Sequence, residues 1–101
     1  MVIISRPQIE AFIRKNPLSA SSLNTWYFKT KEANWGNPNE IKLVFPACDY
    51  IGNDRYVFNI GGNNYRLVAM IHFSKRTLYI RGIFIHADYE ELSNKGLLQA
   101  L

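Results

Sequence analysis

Residues 65–73, with the sequence YRLVAMIHF, carry the pattern that decides the fold. Apolar and aromatic side chains occupy every second position of this stretch: Tyr65, Leu67, Ala69, Ile71 and Phe73. Because successive side chains of a β-strand point to opposite faces, the pattern predicts a strand with one continuous apolar face. The positions between them hold Arg66, Val68, Met70 and His72, so the opposite face is expected to be more polar and basic.

Turn-forming residues flank this strand and predict further strands beside it. The turn signals are Gly-Asn-Asp at residues 52–54, Gly-Gly-Asn-Asn at 61–64 and Ser-Lys-Arg at 74–76. Glycine and asparagine tolerate the positive φ angles of tight hairpin turns. The alternating segments 56–60 and 77–85 therefore predict an antiparallel meander. A bulge is expected at Gly82, where the alternation of the last strand changes phase.

The first part of the chain has the three- and four-residue periodicity of helices. A short strand is predicted at residues 2–4. Ser5 and Gln8 have the spacing of a capping box, so a helix is expected to begin there. Asn16 and Pro17 predict its end, because the residue before a proline is disfavoured in the α region.

Two further helices are predicted before the sheet begins. The second is expected to start near Ser19, and the third is expected to have Asn37 as its cap and Pro38 at its first position. The buried face of the third helix is expected to hold Ile41, Val44 and Phe45. Helices followed by an antiparallel meander predict an α+β fold, with the N-terminal helices on one face of a small antiparallel β-sheet.

Length and composition limit the classes of protein that are compatible with the chain. Its 101 residues predict a single domain over 1–101, with a core at about 2–92 and a short C-terminal extension at 93–101. No apolar segment approaches the roughly 20 residues of a membrane span, and the first residues do not resemble a signal peptide. One cysteine, Cys48, excludes an intrachain disulfide and is expected in the core, which favours a cytoplasmic location. One cysteine and two separated histidines match no metal-ligand spacing, so neither a metal nor another cofactor is expected.

Charge and strand parity together predict a cationic surface. The chain has 12 Lys and Arg against eight Asp and Glu, a net charge of +4, which favours binding to polyanions such as nucleic acid. Arg66 and Arg81 are expected on the same face of the sheet, where guanidinium groups bind phosphate bidentately. His72 is expected on that face as well, and Lys75 and Arg76 lie on the following turn as further candidate RNA-binding residues.

The end of the last strand adds groups that transfer protons. His86 follows the strand directly, and Tyr89 lies three residues further on. Cleavage of RNA by its own 2′-hydroxyl needs a proton acceptor, cations that stabilise the phosphorane and an acid for the leaving oxygen. Arg66, Arg81, His86 and Tyr89 are compatible with all three roles. Solvated arginines, a structural histidine and a packing tyrosine are the alternative interpretation of the same residues.

Seven short segments in a fixed order resemble one known family. The chain is similar to the HigB-type mRNA-cleaving toxins, a branch of the RelE-like toxins of bacterial toxin–antitoxin pairs. The similar segments are VIISR at 2–6, WY at 26–27, KEANW at 31–35, VFNI at 57–60, NYRLV at 64–68, YIR at 79–81 and HADYEEL at 86–92. Their coverage of about residues 2–92 implies a compact α+β domain with helices packed on one face of the sheet.

The resemblance implies a cytoplasmic endoribonuclease that cuts translated mRNA on the ribosome without a metal. It further implies a HigA-like helix-turn-helix antitoxin as partner, with operator DNA bound only through that antitoxin and no membrane association. The implied catalytic residues are Arg66, Arg81, His86 and Tyr89. Asn64 and Met70 stand where the family often has basic residues. A non-catalytic RNA- or ribosome-binding module, or a degenerate toxin acting only in an antitoxin-bound repressor complex, remain alternative hypotheses.

Overall fold

A computed structural model describes all residues from 1 to 101. Five strands form one sheet in the order β1-β5-β4-β3-β2. The strands are β1 (Val2–Ile4), β2 (Asp49–Gly52), β3 (Arg55–Ile60), β4 (Tyr65–His72) and β5 (Thr77–Ile85). The helices are α1 (Arg6–Lys15), α2 (Ala20–Glu32), α3 (Pro38–Val44) and α4 (His86–Asn94), and 3-10 turns occupy Pro17–Ser19, Phe73–Lys75 and Leu98–Ala100. None of the helices has the length and apolar character that a membrane span requires.

The predicted α+β class is confirmed. Strands β3, β4 and β5 form the expected antiparallel meander, and β2, which was not predicted, extends it by one more antiparallel strand. Strand β1 pairs with β5 in the parallel direction, so the complete sheet is mixed. Helices α1, α2 and α3 cover the apolar face of the sheet. Trp26 of α2 meets Phe58 of β3 edge to face, with ring centroids 5.4 Å apart, and Leu67 of β4 is completely buried beside them. Aromatic pairs of this geometry add to the stabilisation from burial alone.

The helix boundaries follow the predicted breaks, with one difference at the first helix. Helix α1 ends at Lys15, directly before Asn16 and Pro17, as expected. The capping box is not formed, because Ser5 has a left-handed backbone (φ 80°) and its side chain makes no capping hydrogen bond. The Gln8 side chain instead donates a hydrogen bond of 3.0 Å to the carbonyl oxygen of Ile80, which ties α1 to β5.

The short helix α3 has the predicted cap. The backbone N–H of Glu40 donates to the Asn37 side chain at 3.2 Å, which satisfies one of the free donors at the helix start. Ile41 is buried as expected and Phe45 packs against the core. Val44 was predicted to be buried but is 39% exposed at the last position of the helix.

The second face of the sheet is not left uncovered, which corrects the expectation of an open cationic face. Val57 and Val68 project from it and form a small apolar cluster with Leu98. Partly buried side chains complete the cluster: Ile51, Phe84, Tyr89, Leu92 and Leu101. Helix α4 and the 3-10 turn that follows it therefore lie across part of this face. Residues 93–101, which the sequence separated as an extension, supply Leu98 to the cluster.

The contribution of these last residues to stability is open to a direct test. Leu98 is 4% exposed, whereas its neighbour Leu97 is 45% exposed. Leu98→Ala is expected to lower the free energy of unfolding by about 2–5 kcal/mol, because it leaves a cavity between the C-terminal turn and the sheet. The matched control Leu97→Ala is expected to change it by less than about 0.5 kcal/mol. Urea denaturation measures both values, and equal small effects would contradict the second core.

Candidate active site

The centre of the candidate site is a pair formed by Arg66 and Tyr89. Arg66 lies on β4 on the same face as Val68, and its guanidinium carbon lies 5.6 Å from the centroid of the Tyr89 ring. One guanidinium nitrogen donates a hydrogen bond of 3.1 Å to the carbonyl oxygen of Tyr65. A cation at this distance from an aromatic face is attracted by the ring quadrupole. The contact therefore orients the guanidinium while its remaining donors stay free of other protein partners.

Tyr89 reaches this position because α4 begins without a linker. Strand β5 ends at Ile85 and the helix begins at His86, whose backbone N–H donates to the carbonyl oxygen of Asn64 at 3.2 Å. The chain therefore turns back over the second face of the sheet at the end of β5. Tyr89, one helical turn later, packs against the cluster around Val68 and meets Arg66.

The predicted bulge in β5 is confirmed and it positions Arg81. Gly82 pairs with Val68 and Ile80 pairs with Ala69, so Arg81 is the extra residue between them. A side chain at position 82 would clash with the Phe84 ring, which lies against the strand there. Arg81 is exposed and its guanidinium joins no hydrogen bond or ion pair within the chain. The bulge therefore presents a free cation next to the strand that carries Arg66.

His86 is at the edge of this centre. It is the first residue of α4, and its Nε2 atom lies 3.5 Å from a carboxylate oxygen of Glu90 one turn later, with both side chains about half exposed. A contact of this kind between two exposed side chains contributes little to stability, so it does not hold the imidazole in place. The imidazole is consequently accessible to a ligand that approaches Arg66 and Tyr89 from solvent.

Burial controls the ionisation of Tyr89. Removal from water raises the pKa of the Tyr89 phenol, and the neighbouring Arg66 partly opposes that rise. Desolvation disfavours the phenolate, whereas a nearby cation favours it. The phenol therefore keeps its proton at neutral pH and is suited to donate a hydrogen bond or a proton.

Three candidate RNA-binding residues lie at the other end of β4 and β5. His72 is six positions beyond Arg66 on β4, about 20 Å along the strand, and packs edge to face on Tyr79. Lys75 is exposed on the following turn. Arg76 is committed to internal contacts, because its Nε donates to the Asn34 side chain at 2.7 Å and a guanidinium nitrogen donates to the Phe73 carbonyl oxygen. These residues do not join the Arg66–Tyr89 pair.

Tyr79 is a residue of this surface to which the sequence assigned no role. It lies on β5 directly opposite Met70 of β4, and half-buries its ring against His72. The signal was present in the strand parity, since Tyr79 and Arg81 alternate with the buried Ile80. The prediction for this face used the arginines and His72 and left out the aromatic ring of Tyr79.

Other chemistries find less support in the geometry. The described residues contain no group of three or more His, Cys, Asp or Glu side chains placed to hold a metal ion. Cys48 is buried in the main core as expected, and burial raises the pKa of its thiol to about 12. Two surface pockets exist, lined chiefly by α1 and α2, and neither includes the four predicted catalytic residues. The candidate site is therefore an open surface rather than a closed cavity.

Fold and site together define a class of protein. The molecule is a small α+β domain that presents arginine, tyrosine and histidine on an open, basic sheet surface, an arrangement that suits a large phosphate-bearing substrate. Comparison with known proteins gives the family. A profile of the HigB toxin family, described as the RelE-like toxic component of a toxin–antitoxin system, matches residues 19–92.

Individual relatives agree with the family profile. The mRNA interferase HigB of Escherichia coli O6:H1 (strain CFT073) is 36% identical over 95 residues, which cover 92% of this chain and 92% of that protein. The HigB proteins of Escherichia coli K12 and Shigella flexneri, also named as mRNA interferases, are each 43% identical over 56 residues, which cover 52% of this chain and 53% of theirs. The chain belongs to the HigB toxin family, which confirms the resemblance expected from its sequence and implies an antitoxin partner.

The opposing influences on Tyr89 give a test of the pair. In an Arg66→Ala variant the pKa of the Tyr89 phenol is expected to rise above that of the parent, because the cation that favours the phenolate is gone and burial remains. NMR titration with tyrosine labelled at the ring carbon that bears the hydroxyl measures this pKa, and a Tyr89→Phe spectrum assigns the signal. Arg14→Ala, on the exposed end of α1, should leave the pKa unchanged. An unchanged or lower pKa in Arg66→Ala contradicts the contact.

Proposed function

We propose that this chain is a toxin that acts as an endoribonuclease, cleaving translated mRNA on the ribosome and thereby inhibiting growth. The relatives named as mRNA interferases support the reaction class. The observation that carries the proposal for this chain is the Arg66–Tyr89 pair, in which a cation and a protonated phenol meet on an exposed surface. The proposed location is the cytoplasm, where translated mRNA is found.

The proposed reaction uses the 2′-hydroxyl of the RNA as nucleophile. A base accepts the proton of that hydroxyl, its oxygen forms a bond to phosphorus, and the bond from phosphorus to the 5′-oxygen breaks. An acid donates a proton to the departing 5′-oxygen, so the products are a 2′,3′-cyclic phosphate and a 5′-hydroxyl end. Arg66 and Arg81 would bind the phosphate and stabilise the additional negative charge of the transition state.

Proton transfer is assigned to the two residues of α4. The Tyr89 phenol is protonated at neutral pH, as phenols ordinarily are, and burial raises its pKa further, so it would serve as a hydrogen-bond donor to the phosphate or as the acid. His86 is accessible from solvent and histidine is the side chain that most often acts as a general base. None of these roles requires a metal, and the proposal is a metal-independent enzyme.

Two departures from the expected basic pattern have local structural counterparts. Asn64 uses its carbonyl oxygen to accept the His86 N–H, which fixes the start of α4. Met70 lies beside the guanidinium of Arg55, which donates to its sulfur at 3.3 Å. A cation from β3 therefore stands next to the position where β4 lacks one. The same guanidinium also donates to the carbonyl oxygens of Asn53 at 2.9 Å and Leu101 at 2.6 Å, so it is occupied within the chain and does not replace a free basic residue on β4.

The proposed partner is a HigA-like helix-turn-helix antitoxin. The family membership requires a toxin to be held inactive, and a basic surface is a natural target for an acidic partner segment. Operator DNA would be bound only through the antitoxin. The mRNA itself would be presented by the ribosome, and His72 and Lys75 are the proposed additional contacts at the far end of β4. Arg76 could contribute only its charge there, because its guanidinium is already bound to Asn34 and Phe73.

Mutation of the central cation tests the enzymatic proposal. Arg66→Ala is expected to lower the rate of mRNA cleavage at least about a hundredfold, because it removes an electrostatic stabiliser of the transition state. Primer extension on cellular mRNA after induction measures the cleavage. Arg14→Ala removes the same charge from the opposite side of the molecule and should cleave at the parent rate.

Each outcome separates the enzyme from its alternatives. Cleavage by Arg66→Ala at the parent rate would show that the Arg66–Tyr89 pair is structural. A parent protein that binds ribosomes without cutting mRNA would instead be a binding module. A parent that neither cuts nor arrests growth, yet represses its operator with the antitoxin, would be a degenerate toxin.

Metal removal gives a separate test. Cleavage of mRNA by the purified protein on ribosomes is expected to continue after the protein itself is treated with EDTA and returned to magnesium-containing ribosome buffer, since only side chains carry out the proposed steps. The measured quantity is the cleavage rate before and after treatment. A loss of activity that zinc or manganese restores would overturn metal independence.

A further inference from the structure

Part of the second face of the sheet has no covering element. Helix α4 and the C-terminal turn lie over the side of the face that holds Val57 and Val68. The opposite side, formed by β1, β5 and the end of β4, remains accessible. We propose that His72 and Tyr79 on this side form a second nucleotide-binding subsite for single-stranded RNA, with Arg81 between it and Arg66. This inference rests on the proposed function and extends it, because it defines the substrate as an extended strand held at two places.

The aromatic pair supplies a stacking surface. The rings of His72 and Tyr79 have centroids 5.7 Å apart and planes at 86°, so each ring is held by the edge or face of the other. Both side chains are partly exposed. A half-exposed ring that is immobilised by its neighbour loses little conformational freedom when a base stacks on it. Such stacking accepts any base, since every base has a π-face.

Apolar side chains flank the pair on the edge strand. Ile4 of β1 lies directly opposite Tyr79 in the parallel pairing, and Val2 lies opposite Thr77. Val2 is 59% exposed and Ile4 is 41% exposed. The exposed side chains of Val2 and Ile4 therefore lie on the same face of the sheet as Tyr79, on the neighbouring edge strand.

The charge of this surface favours RNA, rather than another protein, as its ligand. Strands β1, β4 and β5 contain no aspartate or glutamate at all. Arg81 adds a guanidinium without an internal partner two residues from Tyr79, and Lys75 is exposed on the adjoining turn. A groove that combines aromatic rings with unpaired cations is the arrangement with which proteins bind single strands without sequence preference.

The subsite lies too far from the Arg66–Tyr89 pair to hold the same nucleotide. Tyr79 pairs with Met70, which is four positions beyond Arg66 on β4, about 13 Å along the strand. Stacked nucleotides advance only about 3.4 Å each along one strand. Arg81 is located between the two places, on the bulge opposite Val68. An RNA strand running along β5 would therefore contact Tyr79, then Arg81, then the phosphate at Arg66.

The test compares short and long RNA. Oligonucleotides of about two and about eight nucleotides, with 2′-O-methyl riboses that prevent cleavage, are titrated with the full chain by fluorescence anisotropy. The long probe should bind the parent more tightly than the short one. Tyr79→Leu should weaken binding of the long probe by roughly five- to hundredfold, the contribution of one stacked base, and leave the short probe unaffected. Tyr79→Phe should bind both probes like the parent.

Tyr50→Leu is the matched control. Tyr50 is also an exposed strand tyrosine, 58% exposed, and its ring packs on another aromatic ring, Tyr56, at the opposite edge of the sheet. It should bind both probes like the parent. Lys75→Gln, on the exposed turn beside His72, is a second variant, and it should weaken the long probe and reduce the dependence of its affinity on salt.

The outcomes keep the subsite and the enzymatic proposal apart. Binding of the long probe by Tyr79→Leu with parent affinity overturns the subsite, while loss of cleavage in Arg66→Ala would still support the enzyme. The subsite is also overturned if Tyr79→Leu binds RNA like the parent but binds the antitoxin more weakly. The surface would then bind the protein partner. A parent that binds neither probe overturns the subsite only, because the proposed enzyme acts on mRNA that the ribosome presents and is tested by cleavage in Arg66→Ala.

Discussion

The central strand β4 must be covered on both faces, and the rest of the molecule follows from that requirement. Leu67, Val68 and Ala69 are completely buried although they point alternately to opposite sides. Helices α1 to α3 cover one side, and α4 with the C-terminal turn covers the other. A strand with one bare face would leave Val68 in water, so the second small core is a consequence of the sequence of β4 itself.

The functional surface arises where this second core stops. Phe84, Tyr89 and Leu92 extend the apolar cluster as far as Arg66, so the guanidinium stands at the border between a dry environment and solvent. At such a border a charge interacts more strongly with a phosphate than it would in bulk water, without the full cost of burial. The same border holds the phenol of Tyr89 in its protonated form.

Much of the fold was open to prediction, because it depends on local signals. Alternation defined β3, β4 and β5, and prolines at positions 17 and 38 marked helix boundaries that the structure has. The cover of the second face was not predicted: Leu98 follows Gly96 in a short segment with no periodicity, and only the three-dimensional position of Val57 and Val68 gives it a partner. The capping box failed for a similar reason, since the Gln8 side chain found the Ile80 carbonyl oxygen, 72 residues away in the chain.

The candidate site, like the fold, was predicted only in part. Parity placed Arg66 and Arg81 on one face, and the helix start at His86 brings Tyr89 back to Arg66. Sequence could not show that Arg76 is occupied by Asn34 and Phe73, because both contacts depend on the packing of the loop after α2 against the turn after β4. No role was predicted for Tyr79 either, because its ring packs on His72, which is a neighbour across the sheet rather than along the chain.

The bulge in β5 leaves Arg81, the charged residue of the strand, outside the strand pairing. Ile80 and Gly82 pair with consecutive residues of β4, so Arg81 stands outside the count that determines which side chains face the core. An arginine at a paired position of β5 would take the place of a side chain that packs in one of the two apolar clusters. Arg81 occupies no ladder position, so its side chain can be exchanged, and the charge of the surface changed, while the pairing of Ile83 with Leu67 and of Ile80 with Ala69 is preserved.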